Sequence, residues 1–123
     1  MITIEKAHEM LDRIACRLPA EFYRELNGGI LLLPDTVESP ESEDGDLFIM
    51  GEYVEDPYMG RMIYIYYGSF LEVYGELGEK ELEEELRETL LHEFTHHMES
   101  LAGERGLEIK DEKELWEYRR RKK

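Results

Sequence analysis

The chain has 123 residues, room for one domain rather than two, and residues 1–123 read as that single domain. Its 30 carboxylates against 15 Lys and Arg leave a net charge of −15, which argues against nucleic acid or an anionic membrane as partner. One cysteine, Cys16, rules out an intrachain disulfide, no 18-residue apolar run exists, and the charged N-terminus is unlike a signal peptide. These features point to a reduced, cytoplasmic protein.

Ile4, Ala7, Leu11, Ile14 and Leu18 recur three and four apart and predict a helix over residues 4–18, with Thr3 as N-cap. Pro19 ends it and can open a second short helix through Glu21, Phe22 and Leu26. Asn27-Gly28-Gly29 is a turn. The apolar run 29–33 reads as a buried strand, and Leu47 to Val54 and Met62 to Tyr67 as antiparallel neighbours.

Between the first two strands, residues 35–46 are acidic, carry Pro40 and Gly45, and lack the ligand pattern of a calcium loop, so a solvated connection is expected. A long helix follows from Glu79 to about Leu101, where Gly103 and Gly106 are expected to break it. Asp111 and Glu114 have capping-box spacing and open a last helix, DEKELWEYRRR, whose charges suit the helix dipole. The class is therefore α+β: N-terminal helices, a short sheet of three or more strands, the long helix packed on it, and a C-terminal helix.

The chemistry concentrates in His92-Glu93-Phe94-Thr95-His96. Residues i and i+4 lie one turn apart on one helix face, so both imidazoles can converge on one zinc ion. With Leu82 at zero on the wheel, the apolar arc spans roughly 40° to 180°, the histidines fall near roughly −80° and −40°, and Glu93 near roughly 20°. The site then borders core and solvent. Glu93 leans to the side of the pair, where it can take a proton from metal-activated water as general base. His97 lies near the apolar arc and reads as a structural histidine. His8 and Cys16 read as structural or surface groups. Catalytic zinc usually has three protein ligands. Glu99, Glu104, Glu108 and Asp111 are the candidates for the third, Glu99 being better placed to orient His96 than to ligate.

At these residues the sequence resembles the small bacterial zincin-like metallopeptidases, the minimal zincins. The resemblance runs through the early helix, Leu18-Pro19, Glu21-Phe22, Gly51-Glu52-Tyr53 and HEFTHH at 92–97. It implies a small α+β fold with the motif helix on a short sheet, zinc on His92 and His96, and Glu93 as general base in peptide-bond hydrolysis. Family members continue with Gly three residues after the second His and Asp three beyond that, where this chain has Glu99 and Ala102. Glu108-Ile109-Lys110-Asp111-Glu112 resembles the segment holding that Asp, displaced by an insertion containing SLAGERG, so the resemblance implies Asp111 as third ligand. In zincins a peptide substrate lies extended beside an edge strand. The strands near Tyr53 and Tyr64 are the candidates for that edge. The alternatives are a metal-binding module of the same fold that binds peptides or proteins with weak or no turnover, and a small hydrolase of a non-peptide substrate.

Overall fold

The computed structural model describes residues 2–105. The expected helix beginning at Asp111 lies outside them. Helix α1 spans Ile4–Cys16 and starts where the Thr3 side chain accepts the Lys6 amide, a satisfied N-cap. Its stripe of Ala7, Met10, Leu11 and Ile14 is buried. Pro19 precedes a single 3₁₀ turn, Ala20–Tyr23, which sends Phe22 into the core.

Strands β1 (Gly29–Leu33), β4 (Gly51–Asp56) and β5 (Gly60–Tyr66) form one sheet in the order β1-β5-β4. β5 is central, parallel to β1 and antiparallel to β4. Central position explains its composition: Met62, Ile63, Ile65 and Tyr66 are all buried, as a strand covered on both faces requires.

The run from Leu47 to Val54 is not one strand. Phe48–Ile49 (β3) pairs with Val37–Glu38 (β2) in a separate two-stranded ladder, and the sheet strand resumes at Gly51. One apolar run thus serves two sheets, with the change of partner at Met50. This ladder closes the acidic stretch at its base. The buried Ser69 hydroxyl accepts the Val37 amide, and within the loop the Ser42 hydroxyl accepts the amides of Asp46 and Leu47. The stretch is solvent-exposed as its composition predicts, yet tied by named hydrogen bonds.

Helix α2, Tyr67–Tyr74, follows β5 directly, with no side-chain cap. A Cβ on Gly68 would come within 2.7 Å of the Asp35 carbonyl oxygen, so a glycine lets α2 lie against the chain entering β2.

Helix α3 spans Glu79–Arg105. The expectation that Gly103 breaks it is corrected: the helix runs through that position. A helical glycine costs about 1 kcal/mol relative to alanine, too little to stop a helix already anchored by packing. Leu82, Leu86, Leu90, Phe94 and Met98 are buried along it and meet α1, the 3₁₀ turn and β5 in one core, and Leu101 is buried beyond them. Against β4 the approach is close: a Cβ on Gly51 would sit 3.0 Å from Thr89 Cγ2 and 3.1 Å from the Tyr64 carbonyl oxygen. Gly51 thereby lets the motif helix approach the free edge of the sheet.

Candidate metal centre

The core stripe of α3 turns its other flank, with His92 and His96, to solvent. The two Nε2 atoms face each other at 3.2 Å. Two nitrogens bound to one tetrahedral zinc at about 2.0–2.1 Å stand about 3.3–3.4 Å apart, so the pair already has the bite such an ion requires. Glu99, one turn beyond, places Oε1 3.3 Å from His96 Nδ1. An ionised carboxylate only accepts, so the neutral His96 ring carries its proton on Nδ1 and keeps the Nε2 lone pair. Glu99 thus orients His96 from behind.

Glu93 points to the sheet side of the pair and is only 6% exposed. Burial pushes its carboxyl up to about 6. The neighbouring Glu52 charge raises it further, while His96 and the Tyr53 amide, which donates to it, draw it down. A carboxylate so poised can both take and return a proton near neutrality.

Tyr53 belongs to β4, the strand bordering the motif helix; Tyr64, the other sequence candidate for an edge, sits on central β5. Tyr66 N donates to the Met50 carbonyl. Alternation then turns the main-chain groups of Gly51, Tyr53 and Glu55 away from β5, toward α3 and the cleft.

His97 is fully buried. Its Nε2 lies 2.7 Å from the Arg24 carbonyl oxygen, which can only accept, so Nε2 carries the proton. Nδ1 is then the acceptor of the Tyr53 hydroxyl at 2.8 Å. Burial pushes the ring's pKa down and favours this neutral form. Both ring nitrogens are engaged by protein, which fits the structural role expected of His97. The sequence placed it near the core but held no signal for its partners. His8 is exposed and faces Asp12 at 3.4 Å, and Cys16 is an exposed free thiol.

Among the described residues no set of three His, Cys, Asp or Glu side chains converges at ligand spacing. The structure brings together His92, His96 and Glu93. Glu99 goes to Nδ1 of His96. Glu108 and Asp111 lie outside the described residues, and so does any statement on the side chain of Glu104.

Around the motif an open cleft of about 830 Å³ runs between β4 and α3. A second groove of about 340 Å³ continues past Gly51, His92 and Glu93 toward Ile49 and Met50.

The described residues form a mixed α+β protein in which two facing imidazoles and a buried carboxylate of α3 stand beside the edge strand β4. The particular family follows from the sequence: the zincin-like metallopeptidase model matches residues 49–117, and the chain belongs to that family. Among solved structures, a conserved hypothetical protein from Thermo thermophilus is 38% identical, matched over 83% of this chain and 99% of that one, with a TM-score of 0.70. No curated protein matches. No described helix is long and apolar enough to cross a membrane.

Proposed function

We propose that the protein is a zinc-dependent peptidase in which His92 and His96 hold the metal, Asp111 completes the ligand set and Glu93 is the general base. The observation that carries this reading is the 3.2 Å separation of the two Nε2 atoms beside a buried Glu93. The donor set suits zinc: two neutral imidazoles, one held in the correct tautomer by a carboxylate behind it. When bound, zinc supplies a Lewis acid that polarises a carbonyl and acidifies water.

The chain's own residues do the rest. Glu93 accepts the proton of the attacking water and delivers it to the leaving amine. The Tyr53 amide, donating to Glu93, fixes that carboxylate against the sheet. The outward main-chain groups of Gly51 and Glu55 can pair with an extended peptide lying on β4.

Purified protein, dialysed and reloaded with zinc, is expected to hold one zinc per chain and to cleave members of a mixed peptide library read by mass spectrometry. Glu93→Gln is expected to retain the zinc and lose at least about a hundredfold in cleavage rate, the scale of a lost general base. Undiminished cleavage by that variant overturns the role of Glu93. Zinc binding by the parent with no cleavage of any peptide overturns the peptidase reading and leaves a metal-binding module.

A further inference from the structure

His97 is fully buried beside the site and takes no part in the proton transfer assigned to Glu93. Its two hydrogen bonds run in a definite direction. The Arg24 carbonyl accepts the Nε2 proton, which leaves Nδ1 to accept the Tyr53 hydroxyl. The main-chain amide of that tyrosine donates to Glu93. Glu93 and His97 are four residues apart in one helix, so Tyr53 lies across a single turn of α3, with its amide at one end and its hydroxyl at the other.

The hydroxyl therefore has leverage on the amide. The ladder bonds between β4 and β5 are made by Met50 and the alternate residues Glu52 and Val54, and the Tyr53 amide faces α3 instead. Its direction is set on the helix side, where the ring is held by His97. The far end of this relay is also fixed. Glu25, directly after the carbonyl that accepts from His97, has φ 62°, left-handed backbone that a residue with a Cβ rarely adopts. Such strain persists only where the surroundings hold it, and it clusters at functional sites. Here it follows the 3₁₀ turn, where the Arg24 and Leu26 amides donate to the carbonyls of Glu21 and Tyr23 and the Arg24 carbonyl meets His97 in the interior.

We propose that His97 is a positioning residue: acting through Tyr53, it holds the Glu93 carboxylate in the orientation from which it takes a proton. The proposal rests on Glu93 being the base of the site, as the peptidase reading requires, and it adds the residue that aims it. A histidine that only filled the core would contribute stability and leave Glu93 unmoved.

Two readouts on the zinc-loaded protein separate these roles, at a temperature where circular dichroism shows every variant folded. The first is hydrogen exchange of the residue-53 amide, followed by NMR and taken relative to the ladder amides of Glu52 and Val54, which report any general loosening. This ratio is expected to rise at least tenfold in Tyr53→Phe and in His97→Gln, which lacks an acceptor at the place of Nδ1. The second is turnover of a peptide that the parent cleaves. In the same two variants kcat is expected to fall at least tenfold with KM within twofold, as misplacement of a reacting group does. His97→Asn carries its amide oxygen two bonds from Cβ, at the place of Nδ1, and is expected to restore both readouts to within threefold of the parent. Residue-53 exchange that rises no more than that of the ladder amides, or parental kcat in Tyr53→Phe and His97→Gln, overturns the proposal. So does a loss in His97→Asn as large as that in His97→Gln. A raised exchange ratio rescued by His97→Asn, in a protein whose parent cleaves no peptide, supports the positioning of Glu93 and sinks the peptidase reading alone.

Discussion

The hydroxyl of Tyr53 and Nδ1 of His97 lie 2.8 Å apart, and the amide of the same tyrosine donates to Glu93, one turn earlier on the same helix. Tyr53 is therefore held at two points by α3, and His97 is in turn anchored on the Arg24 carbonyl. His97→Phe keeps the ring volume but removes both hydrogen bonds. A hydrogen bond contributes about 0.5–1.5 kcal/mol net, so the loss of two is expected to cost about 1–3 kcal/mol of stability. Tyr53→Phe deprives the buried Nδ1 of His97 of its donor and is expected to lose about 1–3 kcal/mol. The double variant is expected to fall short of the sum, because the two residues share one bond. Urea denaturation of the three proteins measures this. A His97→Phe protein as stable as its parent would show that the chain from Arg24 to Tyr53 supports nothing.

Zinc affinity ranks the candidate ligands. His92→Ala and His96→Ala are each expected to abolish tight binding. Glu99 contacts Nδ1 of His96 rather than the metal face, so Glu99→Gln is expected to weaken zinc binding only about tenfold, as loss of an orienting partner does. Asp111→Asn is expected to cost more than that. Asn keeps the capping oxygen while removing the negative charge, so the variant separates a helix cap from a ligand. Competition against a zinc chelator gives all four constants. A larger loss in Glu99→Gln than in Asp111→Asn would move the third ligand onto the motif helix.

Gly68 offers a packing test away from the site. A Cβ there would approach Thr36 Oγ1 to 2.1 Å and the Asp35 carbonyl oxygen to 2.7 Å. The hydroxyl can rotate away but the backbone oxygen cannot. Gly68→Ala is expected to destabilise by about 1–3 kcal/mol, the range for forcing atoms into a filled space. Thermal unfolding tests it, and an unchanged midpoint would mean that α2 slides over the Asp35-Thr36 chain at no cost.

What could be read in the sequence was whatever one element's own periodicity carries. The α1 and α3 stripes, the Thr3 cap and the antiparallel pairing of β4 with β5 follow from local spacing, and so does the one-turn relation of His92 to His96. Helix α2 was hidden because Tyr67, Phe70, Val73 and Tyr74 carry strand-forming composition, with no side-chain cap to mark a start. The parallel partnership of β1 with β5 joins Gly29 to Met62, a pairing that hydrophobic pattern leaves unspecified. The link from His97 to Arg24 spans 73 residues and exists only once the 3₁₀ turn has docked on α3.

Gly103 is where local reasoning and the observed fold part most clearly, and it yields a prediction whose sign distinguishes them. As a helix terminator, Gly103 would occupy the left-handed region, and alanine there would destabilise by about 1 kcal/mol. In the structure it lies inside α3, and among the described residues a Cβ would meet nothing within 4 Å. Alanine then restricts the unfolded chain without straining the folded one. Gly103→Ala is expected to stabilise the protein by about 0.5–1 kcal/mol. Gly103 also lines the cleft on the side of Glu99 and Ser100, so the added methyl faces the ligand track without touching His92 or His96. Zinc affinity is therefore expected to stay at the parental value while the urea midpoint rises. A fall in the midpoint would place the end of α3 before Gly103 and return the residue to the turn that its glycine alone suggests.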